Sequence, residues 1–173
     1  DRLVGIEPAT DGDLETLAQR SVGRPLVLFT YHPETADGAR SPGENAREAL
    51  RGVLEHAHTV VATDPGMDAG RDEILAVLDE MAAADSRIVR VRSLGPRYPR
   101  VLAAVDAVVG NSSSGVIEAA SVGVPAVDVG RRQQGRLRAE SVVHAEGSAQ
   151  SVADSLATVL SDTARAAARE TVN

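Results

Sequence analysis

The chain has 173 residues, which suits one domain, and it is 43% hydrophobic but only 2% aromatic, so its core must be aliphatic. The absence of cysteine excludes disulfides and thiolate metal sites, and the absence of lysine excludes a Schiff-base nucleophile. The net charge of −7 argues against broad nucleic-acid binding. No apolar run approaches the length of a membrane span, and the first residues do not read as a signal peptide. We therefore expect a cytoplasmic protein with no nucleic-acid or membrane partner.

Strand-like apolar runs alternate with helix-like segments along the chain. The predicted strands cover residues 26–31, 59–63, 88–91, 107–109, 125–129 and 142–144. The predicted helices cover residues 10–20, 44–56, 71–84, 98–105, 116–122, 151–160 and 163–170. Short apolar strands separated by helices are typical of a parallel sheet that is covered on both faces, so the pattern predicts a doubly wound, Rossmann-like α/β fold. Ligands in such sheets bind outside the carboxyl ends of the strands.

The strongest functional signal is the loop at 110–118, Gly-Asn-Ser-Ser-Ser-Gly-Val-Ile-Glu, between the fourth strand and the next helix. Main-chain N–H groups at a helix start bind phosphate, the two glycines let the backbone approach closely, and serine hydroxyls add donors. Ordinary helix capping would need one serine rather than three. The candidate phosphate-binding residues of this loop are Ser112, Ser113, Ser114 and Gly115.

Glu118 ends the same loop sequence. A capping box requires a glutamate three residues after the cap, so Glu118 fits one only if Gly115 is the cap. A carboxylate one turn inside the helix can instead accept both hydroxyls of a ribose. We interpret Glu118 as a ribose-binding residue, with support of the helix start as the alternative.

Four arginines fall within residues 131–138, directly after the fifth strand, and no acidic residue lies among them. Such a run is ordinarily a solvated surface, but its place beside the serine loop favours diphosphate binding, with Arg132 and Arg136 as candidates. His32 follows the first strand and can donate to a phosphate; its spacing alone leaves a structural role open. The other three histidines show no metal-ligand spacing, so we predict no metal and no cofactor.

Four segments in this order resemble UDP-N-acetylglucosamine 2-epimerase, in particular its hydrolysing class. They are Thr-Tyr-His-Pro-Glu-Thr at 30–35, Pro-Gly-Met-Asp-Ala-Gly at 65–70, the loop at 110–118, and Gly-Arg-Arg-Gln-Gln-Gly-Arg at 130–136. The pairing of the serine loop with Arg-Gln-x-Gly-Arg is the specific part of the resemblance. Two positions depart from the family pattern: Gly66 stands where asparagine is usual, and Arg92 stands where some members have a histidine near uracil.

The resemblance implies that residues 1–173 form the C-terminal UDP-binding domain, one half of a GT-B-type two-domain fold. The N-terminal half, with the catalytic carboxylates, would lie outside this chain. The resemblance further implies that His32 is the catalytic residue here, contacting the phosphates and stabilising the leaving group. Ser112 and Ser113 would hold the diphosphate, Glu118 would bind the ribose, and Arg132 would lie near the phosphates.

The implied reaction of the whole enzyme removes the proton at C2 of UDP-N-acetylglucosamine, or of a related UDP-sugar. Elimination of UDP gives 2-acetamidoglucal, and water then adds to give N-acetylmannosamine and UDP. We expect the isolated domain to be inactive and the full-length protein to be a homo-oligomer. The alternatives are a non-hydrolysing epimerase that yields UDP-N-acetylmannosamine, the donor half of a glycosyltransferase, and a UDP-sugar-binding module without catalysis.

Overall fold

The computed structural model describes residues 3, 5–34 and 40–170. Six strands form one sheet in the order β3-β2-β1-β4-β5-β6, and every neighbouring pair is parallel. The strands are β1 (Leu26–Thr30), β2 (Thr59–Thr63), β3 (Ile88–Val91), β4 (Ala107–Gly110), β5 (Ala126–Val129) and β6 (Val142–Ala145). This is the strand order of the Rossmann fold, which confirms the predicted doubly wound sheet. The order reverses between β1 and β4, where such folds place their ligands.

Helices cover both faces of the sheet. They are α1 (Asp11–Ala18), α2 (Pro42–Leu54), α3 (Arg71–Ala84), α4 (Tyr98–Ala104), α5 (Ser113–Ser121), α6 (Ala149–Val159) and α7 (Asp162–Glu170). Each predicted helix is present, with ends that shift by a few residues. The largest shift that bears on function is at α5, which begins at residue 113 rather than at the predicted 116, because the serines themselves are helical.

Two aliphatic cores lie on opposite faces of the sheet, because successive strand residues point in opposite directions. Val27 and Phe29 of β1 belong to the core beneath α2, α3 and α6, whereas Leu26 and Leu28 belong to the core on the other face. The ring of Phe29 stacks on that of Tyr31, with centroids 6.1 Å apart. The fold is therefore a three-layer α/β/α sandwich with little aromatic content.

The amino-terminal edge of the sheet is closed by the buried carboxylate of Asp106. It accepts a hydrogen bond from the Leu26 N–H at 2.7 Å, and it pairs with Arg24 at 3.0 Å and with Arg165 of α7 at 2.7 Å.

The opposite, carboxyl edge is where the sheet opens into a cleft. Within the described ranges, no helix has both the length and the apolar character needed to cross a bilayer.

Candidate functional site

A cleft of about 420 Å³ lies at the carboxyl edge of the sheet, at the point where the strand order reverses. Its walls are the ends of β1, β2 and β4, the loop that follows β3, and the start of α5. The polar residues that line it include Thr30, His32, Thr63, Arg92 and Ser112. The cleft is thus where the sequence predicted the ligand to bind.

His32 follows β1 and lines the cleft with a half-buried side chain. The main-chain N–H of Gly66 donates to its Nδ1 at 2.9 Å, so the neutral ring carries its proton on Nε2. Burial lowers the pKa of His32, and the nearby Arg132 lowers it further, against an opposite effect from Asp68. His32 is therefore a neutral imidazole with an Nε2–H donor at physiological pH.

The contact with His32 also explains how the loop at 65–70 contributes despite its glycine. Gly66 acts through its main-chain N–H, which needs no side chain. A Cβ at this position would lie 3.4 Å from the His32 Nδ1, an ordinary contact. The departure from the family pattern at Gly66 therefore leaves the hold on His32 intact.

Asn111 is the residue that ties the loops of the site together, and its side chain is fully buried. Its Oδ1 accepts from the His32 N–H at 2.7 Å, and its Nδ2 donates to the His32 carbonyl at 2.9 Å and to Glu34 at 3.3 Å. Its main-chain carbonyl accepts from Gln133 at 2.9 Å and from Arg132 at 3.3 Å. Sequence reasoning missed Asn111 and Gln133, because amides in polar loops carry no signal of burial.

The serine loop forms the start of α5. Ser112 is the N-cap residue, with an extended backbone, and it lines the cleft together with Gly115. Ser113 is the first helical residue and is half-buried. The predicted contribution of the Ser114 side chain lies outside what the structure describes. The first turn of α5 directs main-chain N–H groups toward the carboxyl edge of the sheet, as expected for a phosphate site.

Glu118 lies in the second turn of α5 and is half-buried. The helix starts three residues earlier than predicted, and Glu118 lies a little over one turn inside it, in line with the sequence-based placement. With Ser112 as the N-cap, the capping-box position is Gly115, so Glu118 is not a capping residue. Glu118 is not among the described residues that line the cleft.

The four arginines after β5 differ in their surroundings: one pairs with a buried carboxylate, one lies near His32, and two are exposed. Arg138 pairs with the buried carboxylate of Asp128 at 2.6 Å, which gives it a structural contact. Arg132 lies 3.7 Å from Asp68 and close enough to His32 to affect its pKa. Arg131 and Arg136 are exposed. The structure thus brings Arg132 to the site, while neither Arg132 nor Arg136 lines the cleft among the described residues.

Arg92 follows β3 and lines the far end of the cleft, next to Ser93 and Leu94. Arg90, which lies within β3, pairs with Asp64 at 2.6 Å and so has a structural role.

In the described part of the chain, no group of three or more His, Cys, Asp or Glu side chains is arranged to hold a metal ion.

The chain has recognisable relatives among characterised proteins. A hydrolysing UDP-N,N'-diacetylbacillosamine 2-epimerase from Legionella pneumophila is 32% identical over 119 residues, which cover 68% of this chain and 31% of that protein. A hydrolysing GDP/UDP-N,N'-diacetylbacillosamine 2-epimerase from Campylobacter jejuni is 27% identical over 141 residues, 78% of this chain and 35% of that protein. The chain spans about a third of the length of these relatives.

A solved structure of S. aureus MnaA with UDP is similar in fold, with a TM-score of 0.60 at 16% identity over 86% of this chain and 40% of that one. The architecture is that of one Rossmann-like half of a GT-B-type fold. The family model described as UDP-N-acetylglucosamine 2-epimerase matches residues 6–173. The chain therefore belongs to the UDP-N-acetylglucosamine 2-epimerase family.

Proposed function

We propose that this chain is the C-terminal, UDP-sugar-binding half of a hydrolysing UDP-N-acetylglucosamine 2-epimerase. The whole enzyme would convert UDP-N-acetylglucosamine, or a related UDP-sugar, to N-acetylmannosamine or its counterpart and UDP. It would do so by elimination of UDP and hydration of the resulting glycal. In this proposal the groups that remove the C2 proton belong to an N-terminal half, so the domain alone turns over no substrate. The cytoplasmic location and the homo-oligomeric state of the whole enzyme stay predictions from the sequence.

The observation that carries the proposal is the Nε2–H of His32 at the wall of a cleft that also receives the start of α5. Gly66 holds the ring in the tautomer with its proton on Nε2, and His32 lines the cleft. Ser112 and the main-chain N–H groups of the first helical turn lie at the same cleft. These donors are neutral and fixed in place, and such groups stabilise the negative charge that develops on a departing diphosphate.

The arginines of the loop after β5 add positive charge to the same site. Arg132 is held by Asp68 at 3.7 Å and by the Asn111 carbonyl at 3.3 Å, and its side chain is one-third exposed. We assign it to the diphosphate, with the exposed Arg136 as a second contributor. Because guanidinium groups and helix N–H groups neutralise phosphate charge, the proposed binding requires no metal ion.

The ribose and the outcome of the reaction are the finer parts of the proposal. We assign the ribose hydroxyls to Glu118, which lies in the second turn of the phosphate-facing helix. The hydrolysing outcome is favoured by the names of the Legionella and Campylobacter relatives. A non-hydrolysing enzyme would instead return UDP-N-acetylmannosamine, so product analysis of the full-length enzyme separates the two.

Calorimetry of the domain with UDP and with UMP tests the proposal. UDP should bind weakly and more tightly than UMP, because the second phosphate meets the serine loop and Arg132. A His32→Ala variant should lose most of the preference for UDP, while UMP affinity changes little. Equal affinities of the wild-type domain for the two ligands, or no binding of UDP at millimolar concentration, would make the proposed diphosphate site wrong.

A further inference from the structure

Gln133 is a buried amide in an otherwise exposed loop. Its side chain is 1% exposed, whereas its neighbours Arg132 and Gln134 are both exposed. Burial of an amide costs free energy unless a hydrogen bond replaces its contacts with water, so we expect Gln133 to make a specific hydrogen bond. Its Nε2 donates to the main-chain carbonyl of Asn111 at 2.9 Å, and Gln133 is not among the described residues that line the cleft.

Asn111 links the Gln133 contact to His32, because it is hydrogen-bonded to both residues. Its side-chain amide holds the His32 main chain from both sides, at 2.7 Å through Oδ1 and at 2.9 Å through Nδ2. The carbonyl that Gln133 holds belongs to the same residue, so a shift of Asn111 displaces the His32 backbone. The ring would then lose its alignment with the Gly66 N–H, which selects the tautomer.

We infer that Gln133 is a positioning residue that, through Asn111, orients the Nε2–H of His32 toward a bound diphosphate. The inference rests on the proposed function for the identity of the ligand. The loop that carries Arg132 and the loop that carries His32 are both fastened to one buried residue, so their donors keep a fixed separation. Sites of this kind need such supporting hydrogen bonds to hold their contact residues in a productive geometry.

The competing role for Gln133 is to anchor the arginine loop alone. That role would affect Arg132 and hence the affinity for UDP, and it would also raise the His32 pKa, because Arg132 lowers that pKa. It would leave unchanged the ring tautomer that the Gly66 N–H selects. The tautomer of the His32 imidazole is therefore the decisive readout, and it can be observed without any ligand.

The test is a ¹⁵N NMR titration of the His32 ring in the domain, with its signals assigned by loss in His32→Gln. Gln133→Met keeps an unbranched side chain but removes the N–H donor. In this variant the His32 pKa should rise toward its ordinary value of about 6.5, and the share of the Nε2–H tautomer should fall. The affinity for UDP should fall on the order of threefold to tenfold. Gln134→Met, at the exposed neighbouring position, should change none of these.

An unchanged share of the Nε2–H tautomer in folded Gln133→Met would overturn the inference, even if the His32 pKa rose or the affinity for UDP dropped. If the wild-type domain bound no UDP, the proposed function would fail, while the ligand-free titration would still decide whether Gln133 orients His32. If Gln133→Met does not fold, Gln133→Glu serves in its place. Its carboxylate keeps the size of glutamine but has no N–H for the Asn111 carbonyl, so the same fall in the Nε2–H tautomer is expected. The added negative charge itself raises the His32 pKa, so the tautomer alone is the readout in this variant.

Discussion

The main chain of Gly110 lies so close to the carbonyl oxygen of Thr30 that a Cβ at Gly110 would overlap it. The two residues are register partners at the carboxyl ends of β4 and β1, and Gly110 has a φ of 149°. The next N–H, that of Asn111, donates to the same Thr30 carbonyl at 3.3 Å. The glycine that begins the serine loop thus brings two backbones together, which sets Asn111 beside His32.

Replacement of Gly110 by alanine should destabilise the domain by more than about 3 kcal/mol, because the new methyl group can be accommodated only if a backbone moves. Urea unfolding followed by circular dichroism measures the effect. Gly147→Ala is the matched control, since a Cβ there meets no atom within 4 Å and its stability should change by less than about 0.5 kcal/mol. A Gly110→Ala domain as stable as the control would show that the close approach is not required.

The fold was predictable because aliphatic runs of strand length alternate with helical periodicity throughout the chain. The six strands and their neighbouring helices follow from that alternation and from the handedness of crossovers. The start of α5 was missed by three residues, because serine and glycine have weak helix propensity and the helix there is stabilised by packing on the sheet.

The site was predictable only in part. Polar residues at strand ends, such as His32 and Ser112, were correctly predicted to lie at the cleft, because parallel strands place their carboxyl ends at one edge. Asn111 and Gln133 were not, since their burial depends on three loops meeting in space. The structural contact of Arg138 was also missed, because its partner Asp128 reads in sequence as an ordinary strand residue.

The lowered pKa of His32 predicts a pH dependence of stability. Its folded-state pKa lies below the value in the unfolded chain, so the unfolded state binds more protons between the two values. The free energy of unfolding therefore rises with pH across that window. The contribution of His32 is complete above about pH 6.5 and is lost as the pH falls through the folded-state pKa.

The variant His32→Gln isolates this effect, because glutamine has an N–H near the position of Nε2 but does not titrate. As the pH is lowered from about 7 to about 5, the free energy of unfolding of the wild type should fall relative to that of the variant. Urea unfolding at a series of pH values measures it. Parallel pH profiles for the two proteins would mean that His32 titrates alike in the folded and unfolded states.

The amino edge of the sheet should matter for stability and not for binding. Asp106→Asn removes the charge that holds Arg24 and Arg165, at 3.0 and 2.7 Å. Both arginines are partly exposed, so we expect a loss of about 1–3 kcal/mol in the free energy of unfolding. Asp11→Asn, which removes the exposed partner of Arg24 at 3.4 Å, should cost less than about 0.5 kcal/mol. A changed affinity for UDP in folded Asp106→Asn would contradict this separation of roles.

Glu118→Gln tests the proposed ribose contact. The substitution keeps the size of the side chain but removes its charge and one acceptor oxygen. If Glu118 accepts two ribose hydroxyls, the loss of a charge-assisted bond should cost about 1.5–3 kcal/mol of binding, on the order of tenfold or more in affinity for UDP. Because Glu118 lies in the second turn of α5 and not at its cap, the stability should change by less than about 0.5 kcal/mol.

Calorimetry with UDP and a thermal melt on the same Glu118→Gln protein separate the two roles. A lowered melting midpoint with unchanged affinity would make Glu118 a residue of the helix rather than of the ribose site. An analogue of UDP without the 2′- and 3′-hydroxyls sharpens the comparison. It should bind the wild-type domain poorly, and its affinity should change little on the substitution, since it lacks the hydroxyls that Glu118 would hold. Equal losses of affinity for UDP and for the analogue would mean that Glu118 acts elsewhere than on the ribose.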